Sequence, residues 1–329
     1  MPKAQKKPVY DIISVGDATL DVFVSLIEAS VLCNLQKDVC QLCLSYADKI
    51  PVEKVDRVIG GNAANNAVGS SRLGLKAAFY SIVGNDVTGK QIMDTVRREG
   101  VSTAYVHVDK KQESNYSVVL NFKAERTILV YHIDRKYKLP KLQATKWIYL
   151  TSMGKNHMSL HNELLAYVKR TGKKLGFNPG THQLKQGLEK LKPLLGVTDV
   201  LFVNKEEAKR LVGEIADMKE LLMAVRHVGP QIVVITDGQK GSFAYDGREF
   251  WKCGITDTPV IERTGAGDSF GTAFLAALQH GKPVPEAMRW GTMNSASVIT
   301  KIGPQAGLLT EKQMRAWLRR FPHVKARHF

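Results

Sequence analysis

Short runs of consecutive hydrophobic residues alternate with segments of helical periodicity along most of this chain. Several runs are almost wholly apolar, which is typical of strands whose two faces are both covered by helices. We predict core strands at residues 10–15, 77–83, 147–150, 175–177, 200–203 and 232–235. We predict helices at residues 63–73, 89–99, 161–170, 206–212, 269–278 and 285–299, the first four of which end at or near a glycine. The alternation predicts a doubly wound α/β fold with a mainly parallel sheet.

Two regions depart from this alternation. Residues 21–58 and 114–134 contain several strand-like segments close together, and residues 123–126 have the composition of a hairpin turn. Strands in these regions cannot easily join a parallel core, so we expect a small separate sheet that forms a lid over it. We expect residues 1–329 to form a single domain with this lid. The Asp-Gly pair at 246–247 predicts a further hairpin at the edge of the core sheet.

Composition and charge exclude several classes of protein. With 329 residues, 44% of them hydrophobic, the chain can bury a large core. No apolar stretch approaches the roughly 20 residues that cross a bilayer, so we expect no membrane partner. The formal charge of +16 suits anionic substrates such as nucleotides. The basic residues are scattered and form no nucleic-acid-binding motif, so we expect no specific nucleic acid partner.

The sequence favours a cytoplasmic location. The basic first residues are followed by an apolar run that Asp11 and Asp17 interrupt, which makes a poor secretory signal. Four cysteines in a chain of this length do not make a disulfide framework. We therefore expect a protein of the reducing cytoplasm.

The most informative motif is Arg-Thr-Gly-Ala-Gly-Asp-Ser-Phe at residues 263–270, which opens a strongly helical stretch. Gly265, Ala266 and Gly267 would leave free backbone N–H groups at the start of a helix, where the macrodipole also favours an anion. Asp268, in the first helical turn, is well placed to take a proton from a hydroxyl group beside that anion. Phosphoryl transfer to an alcohol needs both features. Taken alone, the segment is equally well explained as an ordinary helix cap in a turn.

Two further motifs carry groups that suit binding to hydroxyls. A Gly-Gly-Asn-Ala-Ala-Asn motif enters the first core helix, where Gly61 permits close approach and Asn62 and Asn65 offer amide groups. The first predicted strand is followed by Asp17 and Asp21, whose carboxylates can accept hydrogen bonds from a polyol or merely cap the strand. These motifs predict a site for a polyhydroxylated molecule.

Two other motifs suit a nucleotide and its metal ion. Asn204 and Glu207 follow a core strand about one helical turn apart, which suits a hydrated Mg²⁺ that takes few protein ligands. Thr236, Gly238 and Gly241 follow the next strand, where they can surround a nucleotide phosphate. The carboxyl ends of strands are where open α/β sheets bind ligands. The sequence therefore predicts a nucleotide site at this edge.

These motifs, in this order, resemble those of the ribokinase family, also called the phosphofructokinase-B carbohydrate kinases. The resemblance covers nearly the whole chain, about residues 10–303. Residues 263–268 resemble the C-terminal signature of the family, residues 60–65 its N-terminal signature, and Asn204-x-x-Glu207 its Mg²⁺ and phosphate motif. The resemblance implies ATP-dependent phosphorylation of a hydroxymethyl group of a sugar or nucleoside, with ATP and Mg²⁺ as cofactors.

The resemblance also implies a role for each candidate residue. Asp268 is then the general base, and the three residues before it form the anion hole. The residues that hold substrate hydroxyls are then Asp21, Gly61, Asn62 and Asn65. The residues of the nucleotide and metal site are then Asn204, Thr236, Gly238, Gly241, Asn294 and Glu207, which holds Mg²⁺ through water. Asn294 lies in a predicted helix, where its side chain can equally face solvent. The segments 21–58 and 114–134 are then the lid, which is also a candidate homodimer interface.

The chain departs from the family pattern in two places. Many members carry an aspartate that helps to hold a monovalent cation where this chain has Glu262, which is therefore a candidate ligand for K⁺. The first lid segment is longer than in relatives and carries Cys33, Cys40 and Cys43. Their spacing suits a structural zinc ion, but the local sequence offers no fourth ligand. We favour small apolar fillers over a zinc site.

We expect a sugar as the acceptor, because the candidate hydroxyl-binding residues are polar and no clear aromatic pair is present to stack on a base. A nucleoside stays open as the acceptor. The aromatic residues that we expect in the lid and that could stack on a base are Tyr105, Phe122, Tyr131 and Tyr137. A third alternative is a catalytically silent ligand-binding protein on the same fold, against which the intact Asp268 argues.

Overall fold

The computed structural model describes residues 9–34, 39–123 and 125–329, apart from the side chain of Val39. The basic start of the chain and Ala124, in the predicted turn, lie outside these ranges. The strands are β1 (Tyr10–Val15), β2 (Thr19–Leu26), β3 (Ser30–Asn34), β4 (Val39–Cys43), β5 (Val52–Gly60), β6 (Ala77–Gly84), β7 (Ser102–Asp109), β8 (Tyr116–Phe122), β9 (Glu125–Tyr131), β10 (Thr145–Leu150), β11 (Lys174–Phe177), β12 (Val200–Asn204), β13 (Ile232–Thr236), β14 (Ser242–Tyr245), β15 (Phe250–Cys253) and β16 (Ala326–His328). The helices are α1 (Asn62–Arg72), α2 (Val87–Arg98), α3 (Met158–Thr171), α4 (Thr181–Leu184), α5 (Leu188–Leu195), α6 (Lys205–Val212), α7 (Met218–His227), α8 (Ala266–Gln279), α9 (Val284–Val298) and α10 (Glu311–Arg320).

Ten of these strands form the central sheet, in the order β16-β15-β14-β13-β12-β11-β10-β1-β6-β7. Pairing is parallel from β7 to β13 and antiparallel from β13 to β16. All six predicted core strands are present, each within two residues of its predicted bounds. The predicted doubly wound, mainly parallel sheet is therefore confirmed.

Two hydrophobic clusters cover the two faces of this sheet. Successive side chains of a strand point to opposite faces, so Ile12 and Ile13 belong to different clusters. Ile12 packs in a cluster with α1, α8 and α9, whereas Ile13 packs in one with α3, α5 and α7. On the first face α1 and α8 lie very close, because a side-chain carbon added at Gly69 would come within 2.7 Å of Thr272. This contact brings the first turns of α1 and α8 together.

The sheet is wider than the sequence predicted. At one edge, β7 adds a strand beside β6, and at the other the three residues of β16 pair with β15. The Asp-Gly hairpin does join two strands, β14 and β15, but the prediction that it forms the edge of the sheet is wrong. The C-terminal strand β16 covers that edge through backbone pairing, for which its Ala-Arg-His sequence gives no signal.

A second sheet contains four strands in the order β5-β2-β8-β9. Its strands β2 and β8 are parallel, and the other two pairs are antiparallel. The predicted small separate sheet is therefore present, and its first segment extends slightly beyond 21–58 at both ends. Among the helices of the described ranges, none combines the length and hydrophobicity that a membrane span requires.

The extra length of the first segment forms the hairpin β3–β4, in which Cys33 and Cys40 lie directly opposite each other and form a disulfide. The expectation that the cysteines are separate apolar fillers is therefore wrong for this pair. Cys43 remains a free thiol. Within the described residues, no group of three His, Cys, Asp or Glu side chains is arranged to hold a metal ion. The zinc alternative has no ligand set here, because the disulfide uses two of its three sulfur atoms.

Candidate active site

A cavity of about 660 Å³ lies where the carboxyl ends of the core strands meet the second sheet. It is lined by the ends of β12 and β13, the first turns of α1 and α8, and residues of β8 and β9. The carboxyl edge of an open α/β sheet is the usual position of a ligand site. The predicted site residues that line the cavity are Asp21, Gly61, Asn62, Asn65, Asn204, Glu207, Thr236, Gly238, Gly265, Ala266, Gly267 and Asp268. Gly241, Glu262 and Asn294 are not among the lining residues.

The N-terminus of α8 opens into this cavity. Gly265 is the residue before the helix and has a φ of 81°, and a side-chain carbon there would lie 2.4 Å from Pro304. Only glycine fits both the backbone conformation and the space. At Gly267 a side-chain carbon would meet nothing within 4 Å, so the space over the helix terminus is open. Within the described part of the chain, the amides of Gly267 and Asp268 have no backbone acceptor. These amides can bind an anion.

Asp268 lies beside these amides and is buried. Its Oδ2 accepts a hydrogen bond from Nδ2 of Asn65 at 2.9 Å. Asn65 is itself oriented by Gln305, whose Nε2 donates to Asn65 Oδ1 at 3.1 Å. The pKa of Asp268 is raised to about 6, mainly by burial and also by the nearby carboxylates of Glu207 and Asp21, whereas the hydrogen bond from Asn65 acts in the opposite direction. Asp268 is therefore suited to accept a proton near neutral pH.

Buried polar residues between α1 and α8 position this pair, and the sequence analysis missed them. Asn66 accepts a hydrogen bond from Ser14 at 2.6 Å and donates to Thr272 Oγ1 at 3.0 Å. Thr272 Oγ1 in turn donates to the backbone carbonyl of Asp268 at 2.6 Å. The position of Asn66, directly after the predicted motif, was the one available signal in the sequence. This chain of hydrogen bonds fixes the first turn of α8 against α1.

Asp21 lies on β2 and lines the cavity. It accepts a hydrogen bond from Thr19 at 3.3 Å, and burial raises its pKa to about 6. A side-chain carbon at Gly60 would lie 2.0 Å from Asp21, and one at Gly61 would lie 2.5 Å from the backbone of Ala18. Gly60 and Gly61 are therefore needed because neighbouring protein atoms pack closely against them. The motif alone suggested only that Gly61 lets a ligand approach closely.

Asp17 is a second buried carboxylate at this end. Its oxygens accept hydrogen bonds from the Tyr137 hydroxyl and the Gly154 amide, all at 2.9 Å. The Nε2 atom of His132 lies 3.4 Å from Asp17 Oδ2. Burial raises the pKa of Asp17, although these partners act in the opposite direction. Because its oxygens already have these partners, Asp17 is part of the wall of the cavity.

Asn204 and Glu207 form a reciprocal cap at the start of α6. The side chain of Asn204 accepts from the Glu207 amide, and Glu207 Oε2 accepts from the Asn204 amide, both at 2.8 Å. This capping box explains why α6 begins here. Burial raises the pKa of Glu207. Both residues line the cavity, and the cap holds them at fixed positions beside Asp268.

Two residues predicted for the nucleotide site lie elsewhere. Gly241 has a φ of 87°, and a side-chain carbon there would lie 2.1 Å from the carbonyl of Cys253, so its need for glycine comes from packing against β15. Asn294 is completely buried in α9. Its Nδ2 donates to the Ser269 carbonyl at 2.8 Å and its Oδ1 accepts from the Leu309 amide at 2.9 Å. Asn294 therefore links α9 to the first turns of α8, and its complete burial keeps it away from the cavity.

Glu262 lies in the turn that precedes the anion hole. Its Oε1 accepts from the amide and the hydroxyl of Thr264, at 2.7 and 2.6 Å. A guanidinium nitrogen of Arg126, on β9, lies 3.8 Å from the same oxygen. A monovalent cation bound at Glu262 would have to share the carboxylate with this guanidinium. The sequence gave no indication of Arg126.

Comparison with known proteins identifies the class of protein to which this arrangement belongs. Residues 29–311 match the model of the pfkB family carbohydrate kinases. The chain is 28% identical over 271 residues to a ribokinase of Haemophilus influenzae, covering 79% of this chain and 87% of the relative. It is 25% identical over 271 residues to a nucleoside kinase of Methanothermobacter thermautotrophicus, covering 78% and 83%.

Solved structures show the same fold. The structure of Arabidopsis thaliana ribokinase complexed with ribose and ATP superposes with a TM-score of 0.77 and 20% identity, over 94% of this chain and 99% of that one. The fold is therefore ribokinase-like, with a large mostly parallel sheet and a small second sheet. The chain belongs to the pfkB family of carbohydrate kinases. It is a phosphotransferase, and the acceptor is a sugar or a nucleoside.

Proposed function

We propose that this protein transfers the γ-phosphate of ATP to a hydroxymethyl group of a sugar. The observation that carries the proposal is the position of Asp268, a buried carboxylate in the first turn of a helix whose free amides open into the cavity. The anion hole holds the transferred phosphoryl group, and Asp268 accepts the proton of the attacking hydroxyl. Asn65 orients Asp268 through the 2.9 Å hydrogen bond. Catalysis then rests on positioning and charge stabilisation.

The cavity suits ATP and Mg²⁺. The open space over Gly267 admits a phosphate group close to the helix amides. The charges of Glu207 and Asp21 raise the pKa of Asp268, so a divalent cation held beside Glu207 would offset part of this repulsion. Asn204 and Glu207 would hold the ion, through water for Glu207. Bound there, Mg²⁺ neutralises the charge of the phosphate oxygens.

A sugar acceptor agrees better with the cavity than a nucleoside. Of the aromatic residues considered for stacking, Tyr105 and Tyr137 are buried in the core, and Phe122 does not line the cavity. Tyr131 does line it and is 52% exposed, which is the observation that keeps a nucleoside as the second candidate. Beside the apolar side chains of Ile128 and Val130, this part of the cavity has the carboxylate of Asp21 and the amide of Asn62, which suit hydroxyls.

We further propose that the second sheet is a lid. Residues of β8 and β9 cover the acceptor side of the cavity, and a sheet in this position would exclude water from the transferred phosphoryl group.

A coupled ADP-release assay tests the proposal. Pentoses, hexoses, phosphosugars and nucleosides are each offered with ATP and Mg²⁺, and the rate of ADP release is compared with the rate without acceptor. We expect one or a few sugars to stimulate release strongly. Stimulation by nucleosides alone would favour the second candidate, and no stimulation by any acceptor would contradict the proposal.

A further inference from the structure

Strand β9 forms the outer edge of the second sheet, and one of its faces lines the cavity. Arg126, Ile128 and Val130 alternate along the strand, His132 follows with the same spacing, and all four line the cavity. The two ends of this face carry basic side chains, and the middle is apolar. All residues of β9 are exposed, and the sheet holds the strand on only one side, through β8.

Each basic end of this face meets a buried carboxylate of the core. Arg126 Nη1 lies 3.8 Å from Glu262 Oε1, and His132 Nε2 lies 3.4 Å from Asp17 Oδ2. Glu262 is 6% exposed at its side chain, whereas Arg126 is 33% exposed. The strand therefore spans the cavity and contacts the core at both of its ends.

Glu262 connects this contact to the anion hole. Its Oε1 accepts both hydrogen bonds from Thr264, the residue directly before Gly265. Its Oε2 is buried and has no hydrogen-bond partner within the part of the chain that the structure describes. A buried carboxylate is costly unless an opposite charge compensates it. Among the residues that the structure describes, the cationic group within 4 Å of this carboxylate is the guanidinium of Arg126, on β9 of the second sheet.

We propose that Arg126 is a positioning residue. Its contact with Glu262 couples the position of β9 over the cavity to the ordering of the backbone amides that form the anion hole. The proposal rests on the proposed function, in which the second sheet is the lid. When β9 lies over the cavity, Arg126 compensates the charge of Glu262, and Glu262 then holds Thr264 and the turn that leads to Gly265. When β9 lifts, Glu262 loses this compensation and the turn loosens. Phosphoryl transfer is thereby restricted to the state in which the acceptor is covered.

Hydrogen exchange of the ligand-free protein tests the coupling without any activity measurement. The amide of Thr264 donates to Glu262, so its exchange reports the order of the turn. We expect Arg126→Gln to speed exchange in the peptide spanning residues 262–267 by about tenfold, the size of an ordinary coupling between contacting residues. Arg57→Gln is the matched control, because Arg57 is exposed on β5 of the same sheet and does not line the cavity. Unchanged exchange in Arg126→Gln, or equal changes in both variants, would overturn the proposal.

A double-mutant cycle then separates positioning from direct contact with the phosphate. We expect Arg126→Gln and Glu262→Gln each to lower kcat about tenfold with little change in KM for ATP, and the double variant to be no worse than either one. Arg126→Lys should restore part of the rate. If the two effects multiply instead, Arg126 acts on the substrate and the coupling is refuted. A wild-type protein that fails to phosphorylate any acceptor would refute the proposed function, while the exchange result would still decide the coupling.

Discussion

Replacing Asp268 with asparagine should slow catalysis strongly and at the same time stabilise the fold at neutral pH. Burial raises the pKa of Asp268 from its ordinary value of 3.8 to about 6. A carboxyl group whose pKa is higher in the folded state binds more protons there, so stability falls as the pH rises from about 4 to 6. Above the folded pKa the penalty is complete, and a shift of about two pKa units corresponds to roughly 3 kcal/mol.

Asparagine has the shape of the protonated acid and carries no charge, so Asp268→Asn removes this penalty. Urea unfolding should show little difference from the wild type at pH 4 and a gain of roughly 3 kcal/mol at pH 7. Turnover should fall by roughly 10²–10⁴-fold, the usual range for the loss of a general base. Asp257→Asn, at an exposed loop position, is the control and should change neither quantity. A variant that is less stable than the wild type at pH 7, or one with near-normal kcat, would refute the reasoning.

Three further predictions concern the metal, the anion hole and the cysteines. Glu207→Gln should raise the Mg²⁺ concentration that gives the half-maximal rate and leave sugar affinity nearly unchanged; a shift in sugar Kd with an unchanged Mg²⁺ titration would move Glu207 out of the metal site. Gly267→Ala should fold normally, because the added carbon meets open space and alanine is more favourable than glycine in a helix by up to about 1 kcal/mol. The same variant should bind ATP more weakly when binding is measured by calorimetry. Normal ATP affinity in this variant would argue against an anion hole at that position. Elemental analysis of protein purified without a His-tag should find no stoichiometric zinc, because Cys33 is bonded to Cys40 and only Cys43 of the three remains as a thiol. One zinc per chain would contradict this.

The elements that the sequence predicted correctly are those whose surroundings require particular types of residue. Strands β12 and β13 are apolar up to their last residues because helices cover both of their faces. Helix α8 was located because glycine and aspartate have specific uses at a helix N-terminus. Strand β16 could not be predicted in this way. Its three residues pair with β15 through backbone groups, and backbone pairing leaves little trace in the composition of so short a segment.

The sequence also could not predict the contacts between residues that lie far apart along the chain. Asn294 is polar and helical, and only the tertiary structure shows that its amide joins α9 to α8 and to the loop before α10. Cys33 and Cys40 form a disulfide because the register of β3 and β4 places them opposite each other. Arg126 lies on β9 of the second sheet and Glu262 lies in the loop before α8, and no local pattern relates them. Such pairs depend on tertiary structure and not on residue spacing.

The central claim is that the γ-phosphate of ATP passes to a hydroxymethyl group and that Asp268 takes the proton. Phosphorus NMR of the product formed from ATP, Mg²⁺ and the best acceptor tests it most directly. The account predicts a phosphomonoester whose phosphorus couples to two methylene protons. The wild type should form it in equal amount to ADP, and Asp268→Asn should form it roughly 10²–10⁴-fold more slowly. Inorganic phosphate as the sole product, a phosphate on a ring hydroxyl, or equal product from the variant would contradict it.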